Sequence, residues 1–253
     1  MTTDVGSQWG RLGSLAGYVA GGCLLGQTTL FLADAFDVLG ESPEFHETSA
    51  GRLQDVATYY AAFFEHQHDI VWSIIVRDVL GPVAYLSLMV AALAALNLVR
   101  SARPERQLLT LFFVVGGSLA ALSDLVYLTL TLYWEHGGWL ADPAENMVAI
   151  GRSVEALDNL TTYTQYAGFV VLALGLVCLA RVARSEPGWS SLLGALAYVE
   201  AAALLLTVAV SVRHHDTTAD WLTLVIGALL GPLVAVLFGR ELSRAGSRGP
   251  VLV

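Results

Sequence analysis

The sequence predicts an all-α fold, a polytopic transmembrane bundle of six helices. Hydrophobic residues make up 55% of the 253-residue chain and charged residues only 14%, which is the balance of a membrane protein. Apolar runs of about 20 residues or more recur along the chain, long enough to cross the ~30 Å hydrocarbon core as helices. Acidic and basic side chains nevertheless occur inside these runs. Charge in hydrocarbon is costly and normally faces the bundle interior, so the sequence also predicts a polar interior.

The apolar runs give the approximate limits of the six spans. They cover about residues 12–39, 70–99, 108–134, 159–180, 189–212 and 221–239. Nine arginines flank the spans on one side (Arg11, Arg100, Arg103, Arg106, Arg181, Arg184, Arg240, Arg244 and Arg248) and three on the other (Arg52, Arg152 and Arg213). The positive-inside rule then predicts cytoplasmic termini in a cell membrane, with histidine- and acid-rich loops outside. Residues 1–242 are predicted to form one domain, and residues 243–253 a disordered cytoplasmic tail.

The first span and the loop that follows it carry two local patterns. Gly13, Gly17 and Gly21 lie four residues apart, and such a ridge lets another helix approach closely. In the outer loop of residues 40–68, apolar side chains recur at helical spacing from Leu53 to Phe64. This loop is predicted to be an interfacial helix, an outward extension of the second span or a plain connector.

The next four spans contain most of the polar candidates, and the sixth is purely apolar and is predicted to be scaffold. Three- and four-residue spacing places the candidates of the fourth span on one helical face. With Asp34 from the first span, they form an outward-facing vestibule: Arg77 and Asp78 in the second span, Asp124 and Tyr127 in the third, Asp158, Thr162, Gln165 and Tyr166 in the fourth, and Glu200 near the middle of the fifth.

These ten residues suggest a pocket with apolar walls and a few convergent polar groups, the usual composition of a ligand site. The leading hypothesis is that it binds or transports a small amphiphilic or cationic molecule. The alternative is a membrane-embedded enzyme, of the isomerase or terpenoid-cyclase type, in which Asp78, Asp124 and Glu200 perform acid–base catalysis on a lipophilic substrate. A network centred on Arg77 that only fixes helix packing is a third interpretation.

The histidines suggest a second, outer site. All six lie at or beyond the outer ends of the spans, and imidazole with carboxylate suits zinc, copper or iron. A metal-dependent enzyme or sensor is therefore a further hypothesis, opposed by the absence of any recognised metal signature and by solvated histidines as a simpler explanation. The candidate ligands are His66, His68, His136, His214 and His215.

Composition limits the cofactors and partners. The chain contains no lysine, which excludes a retinal Schiff base, and its formal net charge of −9 argues against nucleic acid. Apart from a metal at the outer face, no cofactor is indicated. The expected partners are the lipid bilayer and a small amphiphilic molecule, while a homo-oligomer or a non-catalytic partner subunit stays open.

Two stretches resemble the DUF4386-type bacterial membrane proteins. One is Arg77-Asp78 followed by Leu80-Gly81-Pro82 and a run to Arg100. The other is the span from Gly168 to Arg184 followed by Pro187-Gly188-Trp189 and a further glycine-containing span. This resemblance implies a bacterial six-helix membrane protein. It implies no activity, substrate or catalytic residue, because those proteins are uncharacterised.

Overall fold

A computed structural model of the chain describes residues 2–40, 53–100, 103–136, 144–213, 222, 226 and 229–247, and this part of the chain is helical without a strand. Seven helices are named here in chain order: α1 Thr2–Ala35, α2 Leu53–Asp69, α3 Val71–Leu98, α4 Arg103–His136, α5 Ala144–Ser185, α6 Ser191–Ser211 and α7 Gly231–Ser247.

Five of these helices contain stretches that are long and apolar enough to cross a membrane: Val5–Ala35, Val71–Leu98, Pro104–Tyr133, Asn146–Ser185 and Ser191–Ser211. They fall on the first five predicted spans, so the predicted class, an all-α polytopic bundle, is confirmed. The sixth predicted span, residues 221–239, lies partly outside the described residues, and α7 covers its second half. The number of six therefore stays a prediction.

The helices extend beyond the hydrophobic segments that predict them. Helix α1 begins at Thr2, and α5 begins at Ala144, well before the predicted limit of residue 159. Hydropathy marks only the part of a helix that lies in hydrocarbon, whereas backbone hydrogen bonding continues through polar turns on either side. At the other end of the chain, α7 continues to Ser247. Residues 243–247 are therefore helical where a tail was predicted, and residues 248–253 lie outside the described residues.

The long helices form a ring. Helix α3 packs against α1 and α4, and α5 packs against α4 and α6. Helix α7 packs mainly against α1 and makes smaller contacts with α3 and α6, which close the ring. The predicted glycine ridge of α1 faces α7. A Cβ atom added at Gly17 would lie 2.6 Å from the Cα of Gly239, and one at Gly10 would lie 2.8 Å from the Cα of Gly246. The backbones of α1 and α7 thus approach each other as the small-residue spacing predicts.

Helix α2 crosses one end of the ring, referred to below as the α2 end. Its apolar face, with Val56 and Phe64, packs against Met147 and Val148 of α5 in a separate hydrophobic cluster. The helical spacing predicted in the outer loop therefore corresponds to a helix, while its position at a lipid interface stays a prediction. Helix α3 begins directly after the break at Ile70, where φ is −104° and ψ is 12°.

Candidate functional site

A cavity of about 680 Å³ occupies the middle of the ring. Every one of the seven helices contributes to its wall, and Ile226 adds to it just before α7. The cavity brings together all ten side chains that the sequence predicts as a pocket: Asp34, Arg77, Asp78, Asp124, Tyr127, Asp158, Thr162, Gln165, Tyr166 and Glu200. All ten therefore line the same cavity, and their binding of a ligand stays a prediction.

Arg77 is the centre of the ionic contacts near the α2 end. Its Nε donates to Asp78 Oδ1 at 2.9 Å, and its Nη1 lies 3.9 Å from Asp34 Oδ2. The guanidinium carbon also lies 5.4 Å from the centroid of the Tyr127 ring, at cation–π distance. The Arg77 and Asp78 side chains are only 14% and 5% exposed. The charges of this pair are therefore compensated by protein groups rather than by water.

Asp124 is held by two amides from other helices. Gln27 of α1 donates from Nε2 to Asp124 Oδ2 at 3.0 Å, and Gln165 of α5 donates to Oδ1 at 3.2 Å. The carboxylate lies against Gly81 of α3, because a methyl group added at Gly81 would overlap both the Asp124 carboxylate and the Gln27 amide. Four helices thus meet at Asp124, and the missing side chain of Gly81 makes the space for it.

Glu200 of α6 differs from the other acids of the cavity. It is 8% exposed, and it has neither a hydrogen bond nor an ion pair with any described residue. Its neighbours include Gly231, since a Cβ atom added there would lie 3.3 Å from Glu200 Oε1. An uncompensated buried carboxylate costs several kcal/mol, so its retention next to a cavity needs an explanation.

The polar face of α5 lines the side of the cavity between Asp158 and Tyr166. Ser123 of α4 donates to the Thr161 carbonyl at 2.8 Å and joins this face to α4. The stretch therefore faces other helices and the cavity, which is how a polar face avoids lipid.

Helix α2 covers the cavity with four side chains: Tyr59, Phe63, His66 and Gln67. Besides its apolar packing on α5, polar contacts join it to the ring. His66 Nε2 lies 3.2 Å from Asp34 Oδ1, and the Tyr60 hydroxyl donates to Glu155 Oε2 at 2.9 Å. Burial, with this hydrogen bond next, raises the pKa of Tyr60 to about 12, so the phenol stays a donor at neutral pH.

The outer histidines do not assemble in the part of the chain that is described. No group of three His, Cys, Asp or Glu side chains there is arranged to hold a metal ion. His66 contacts Asp34, and His68 is exposed. The side chain of His136 and the whole of residues 214 and 215 lie outside the described structure, so the predicted metal site stays a prediction.

The cavity also contains residues that were not among the predicted ligands. Gln27 lies seven residues before Asp34 and therefore on the same helical face, a signal that the sequence offers. Tyr85, likewise seven residues after Asp78, follows the same rule. Gly231 and Ile226 give no such signal because they come from the apolar segment that was predicted to be scaffold.

Among the described residues, five carboxylates and one guanidinium line the cavity. Asp78 and Asp124 have hydrogen-bonding partners, whereas the Glu200 carboxyl has no hydrogen-bonding partner among the described residues. The predicted catalytic role of Asp78, Asp124 and Glu200 stays untested by this geometry.

The ring of long apolar helices around a charged interior defines the class: a polytopic, all-helical integral membrane protein. Comparison of the chain with protein-family models, with curated proteins and with solved structures finds no match. The resemblance to DUF4386-type proteins accordingly depends on the short sequence motifs alone.

Proposed function

We propose that the central cavity binds a small amphiphilic or cationic molecule, and that such a molecule is carried or sensed from the α2 end. The observation that carries the proposal is the charge of the cavity wall, which has five carboxylates against one guanidinium. A low-dielectric cleft lined by one sign of charge concentrates ions of the opposite sign.

The size and the other wall groups support the same ligand class. A cavity of about 680 Å³ lies within the range of ~300–1,000 Å³ typical of small-molecule sites. Apolar side chains such as Phe169 and Leu204 provide surface for a hydrophobic body, and the rings of Tyr85 and Tyr166 can face a cation. An inorganic ion would leave this apolar surface unused.

The arginine distribution supports an orientation. Because the predicted cytoplasmic arginines of the described helices, such as Arg11, Arg106 and Arg184, lie at the helix ends opposite α2, we propose that the α2 end faces outside and that a ligand enters beneath α2. Labelling of a cysteine introduced at exposed Glu65 by an impermeant maleimide in intact cells tests this orientation directly.

The test of binding uses the Asp124→Asn variant. We expect it to weaken the binding of 4-phenylbutylammonium about tenfold, because removing one charge about 10 Å away at an effective dielectric of ~20 costs roughly 1.5 kcal/mol. The measurement is calorimetric titration of the protein in lipid nanodiscs, with empty nanodiscs as the reference.

Asp69→Asn is the matched control, because Asp69 is exposed at the end of α2 and outside the cavity wall. It should leave the affinity within about twofold, since exposed charges are screened by salt. Equal affinity of the wild type and the Asp124→Asn variant would reject the proposed role of the acidic wall.

One observation favours an enzyme as the second candidate. The Glu200 carboxyl, which no described residue pairs with, lies beside apolar walls, an arrangement that suits a general acid acting on a lipophilic substrate. Turnover of a lipid-soluble substrate that is lost in the Glu200→Gln variant would support catalysis, whereas binding without turnover would support the first candidate.

A further inference from the structure

The inner part of the cavity is organised around Glu200. The depth of Glu200 can be read along helix α1. Gln27 of α1 contacts Asp124, and Leu24 lies beside Gly231. Leu24 is three residues, or about 4.5 Å, further from the α2 end than Gln27. Gly231 in turn adjoins Glu200. The Glu200 carboxyl therefore lies about one helical turn deeper than Asp124.

Apolar side chains surround this deep carboxyl. Leu204 lies one turn from it on α6, and Leu88, Leu172 and Leu176 line the cavity from α3 and α5. Leu88 is seven residues beyond Gly81 on α3, which places it about 10 Å deeper than the level of Asp124. Below the level of Asp124, Glu200 is thus the one carboxylate among the described residues that line the cavity, and apart from the Tyr85 phenol its surroundings there are mostly apolar.

The carbonyl of Ile226 also lies next to Glu200; in a π-helical turn it faces the N–H of Gly231, five residues on, and keeps its second lone pair for a ligand. A Cβ atom added at Gly231 would lie 3.1 Å from the carbonyl oxygen of Ile226 and 3.3 Å from Glu200 Oε1, so both oxygens border the space that this glycine leaves open. Residues 226, 229 and 230 are π-helical and lead into α7 at Gly231. Such π-turns occur frequently at functional sites.

The chemistry of this position selects among cations. The two Glu200 oxygens and the Ile226 carbonyl provide three acceptors, so a calcium or magnesium ion, which takes six or more oxygen ligands, would have to keep water for half of them within apolar walls. A protonated amine, in contrast, has one positive charge and two or three N–H donors in a compact group. A quaternary ammonium has the charge without the donors.

This inference depends on the proposed function. We infer that the ligand is a primary or secondary amine with an apolar body. Its ammonium group donates hydrogen bonds to Glu200 and to the Ile226 carbonyl, and its body fills the chamber formed by Leu88, Leu172 and Leu176.

The test compares three probes with the same 4-phenylbutyl body: 4-phenylbutylamine, its N,N,N-trimethyl analogue and 4-phenylbutanol. Calorimetric titration in lipid nanodiscs should give the wild type at least about tenfold higher affinity for the amine than for either analogue. The Glu200→Gln variant should lose that preference, because a charge-assisted hydrogen bond typically contributes about ten- to a hundredfold. Glu65→Gln, which changes an exposed glutamate of α2, is the matched control and should keep the preference.

The failures of the two proposals differ. If the amine binds the wild type and weakens in Asp124→Asn, but binds Glu200→Gln as tightly as the wild type, the inference is overturned and the proposed function stands. Equal affinity of the amine and its trimethyl analogue also overturns the inference alone. Binding of none of the three probes by the wild type overturns both.

A measurement on the wild type alone covers the case in which Glu200→Gln does not fold. Dicyclohexylcarbodiimide modifies carboxyl groups in apolar surroundings, and mass mapping reports the modified residue, counting both the N-acylurea and the amide that the amine forms by displacing dicyclohexylurea from the activated carboxyl. The amine should slow modification of Glu200 at least about fivefold, while 4-phenylbutanol at the same concentration should not. Equal modification with and without the amine overturns the inference.

Discussion

We expect the Arg77→Met variant to lose about 3–5 kcal/mol of unfolding free energy, because removal of one member of a buried ion pair leaves the other uncompensated. Arg77 is the only arginine that the described structure brings to Asp78 and Asp34, and Asp78 Oδ2 already has no hydrogen-bonding partner among the described residues. Methionine keeps the length of the side chain, so the loss reports on charge more than on volume. The unfolding midpoint in mixed micelles is the measurement.

The double variant Arg77→Met/Asp78→Leu separates charge compensation from packing. Replacing both members of a buried pair by apolar residues is often neutral, so the double variant should regain most of the lost stability. Arg11→Met is the control because Arg11 is exposed, and it should cost less than about 1 kcal/mol. Equal losses in the single and double variants would show that the Arg77 network does not compensate Asp78.

The second large effect is expected for Gly81→Ala. A methyl group at this position would displace the Asp124 carboxylate and the Gln27 amide, both of which it would overlap. Insertion of a methylene-sized group into a packed interior typically costs about 1–3 kcal/mol, and the loss of the bond between Gln27 and Asp124 adds about 1 kcal/mol. We expect a lower unfolding midpoint together with at least about tenfold weaker binding of 4-phenylbutylammonium.

Gly22→Ala is the matched control for this variant. A Cβ atom at Gly22 would have no neighbour within 4 Å, and the position is helical and exposed. Alanine there should stabilise the helix by about 0.5–1 kcal/mol and leave binding unchanged. A Gly81→Ala variant that is as stable and binds as well as Gly22→Ala would contradict the described position of Asp124.

The sequence predicts the cavity wall because membrane physics limits where charge can lie. Arg77, Asp78, Asp124 and Glu200 each fall within an apolar span, and lipid excludes them from the outer surface. Helical spacing then extends the wall to the neighbouring polar residues of α5. Facing inward is a property of each helix alone, so it can be predicted one helix at a time.

The pairing of these residues depends on relations between helices that no local pattern contains. Gln27 and Asp124 are 97 positions apart, and their contact depends on the register of α1 against α3 and α4. His66 was predicted as a metal ligand from its outer position, which stays a prediction; its contact with Asp34, 32 positions away, could not be predicted from the sequence. Gly231 contributes to the wall by the absence of a side chain, which an apolar sequence does not distinguish from scaffold.

A native mass spectrum of the protein released from its own membranes in mild detergent tests the central claim, that the cavity holds a small amphiphilic or cationic molecule. The wild type should carry a reproducible organic adduct of a size that about 680 Å³ can enclose, and the Asp124→Asn variant should lose most of it. An adduct-free wild-type mass, under conditions that preserve bound lipid on other membrane proteins, would contradict the account.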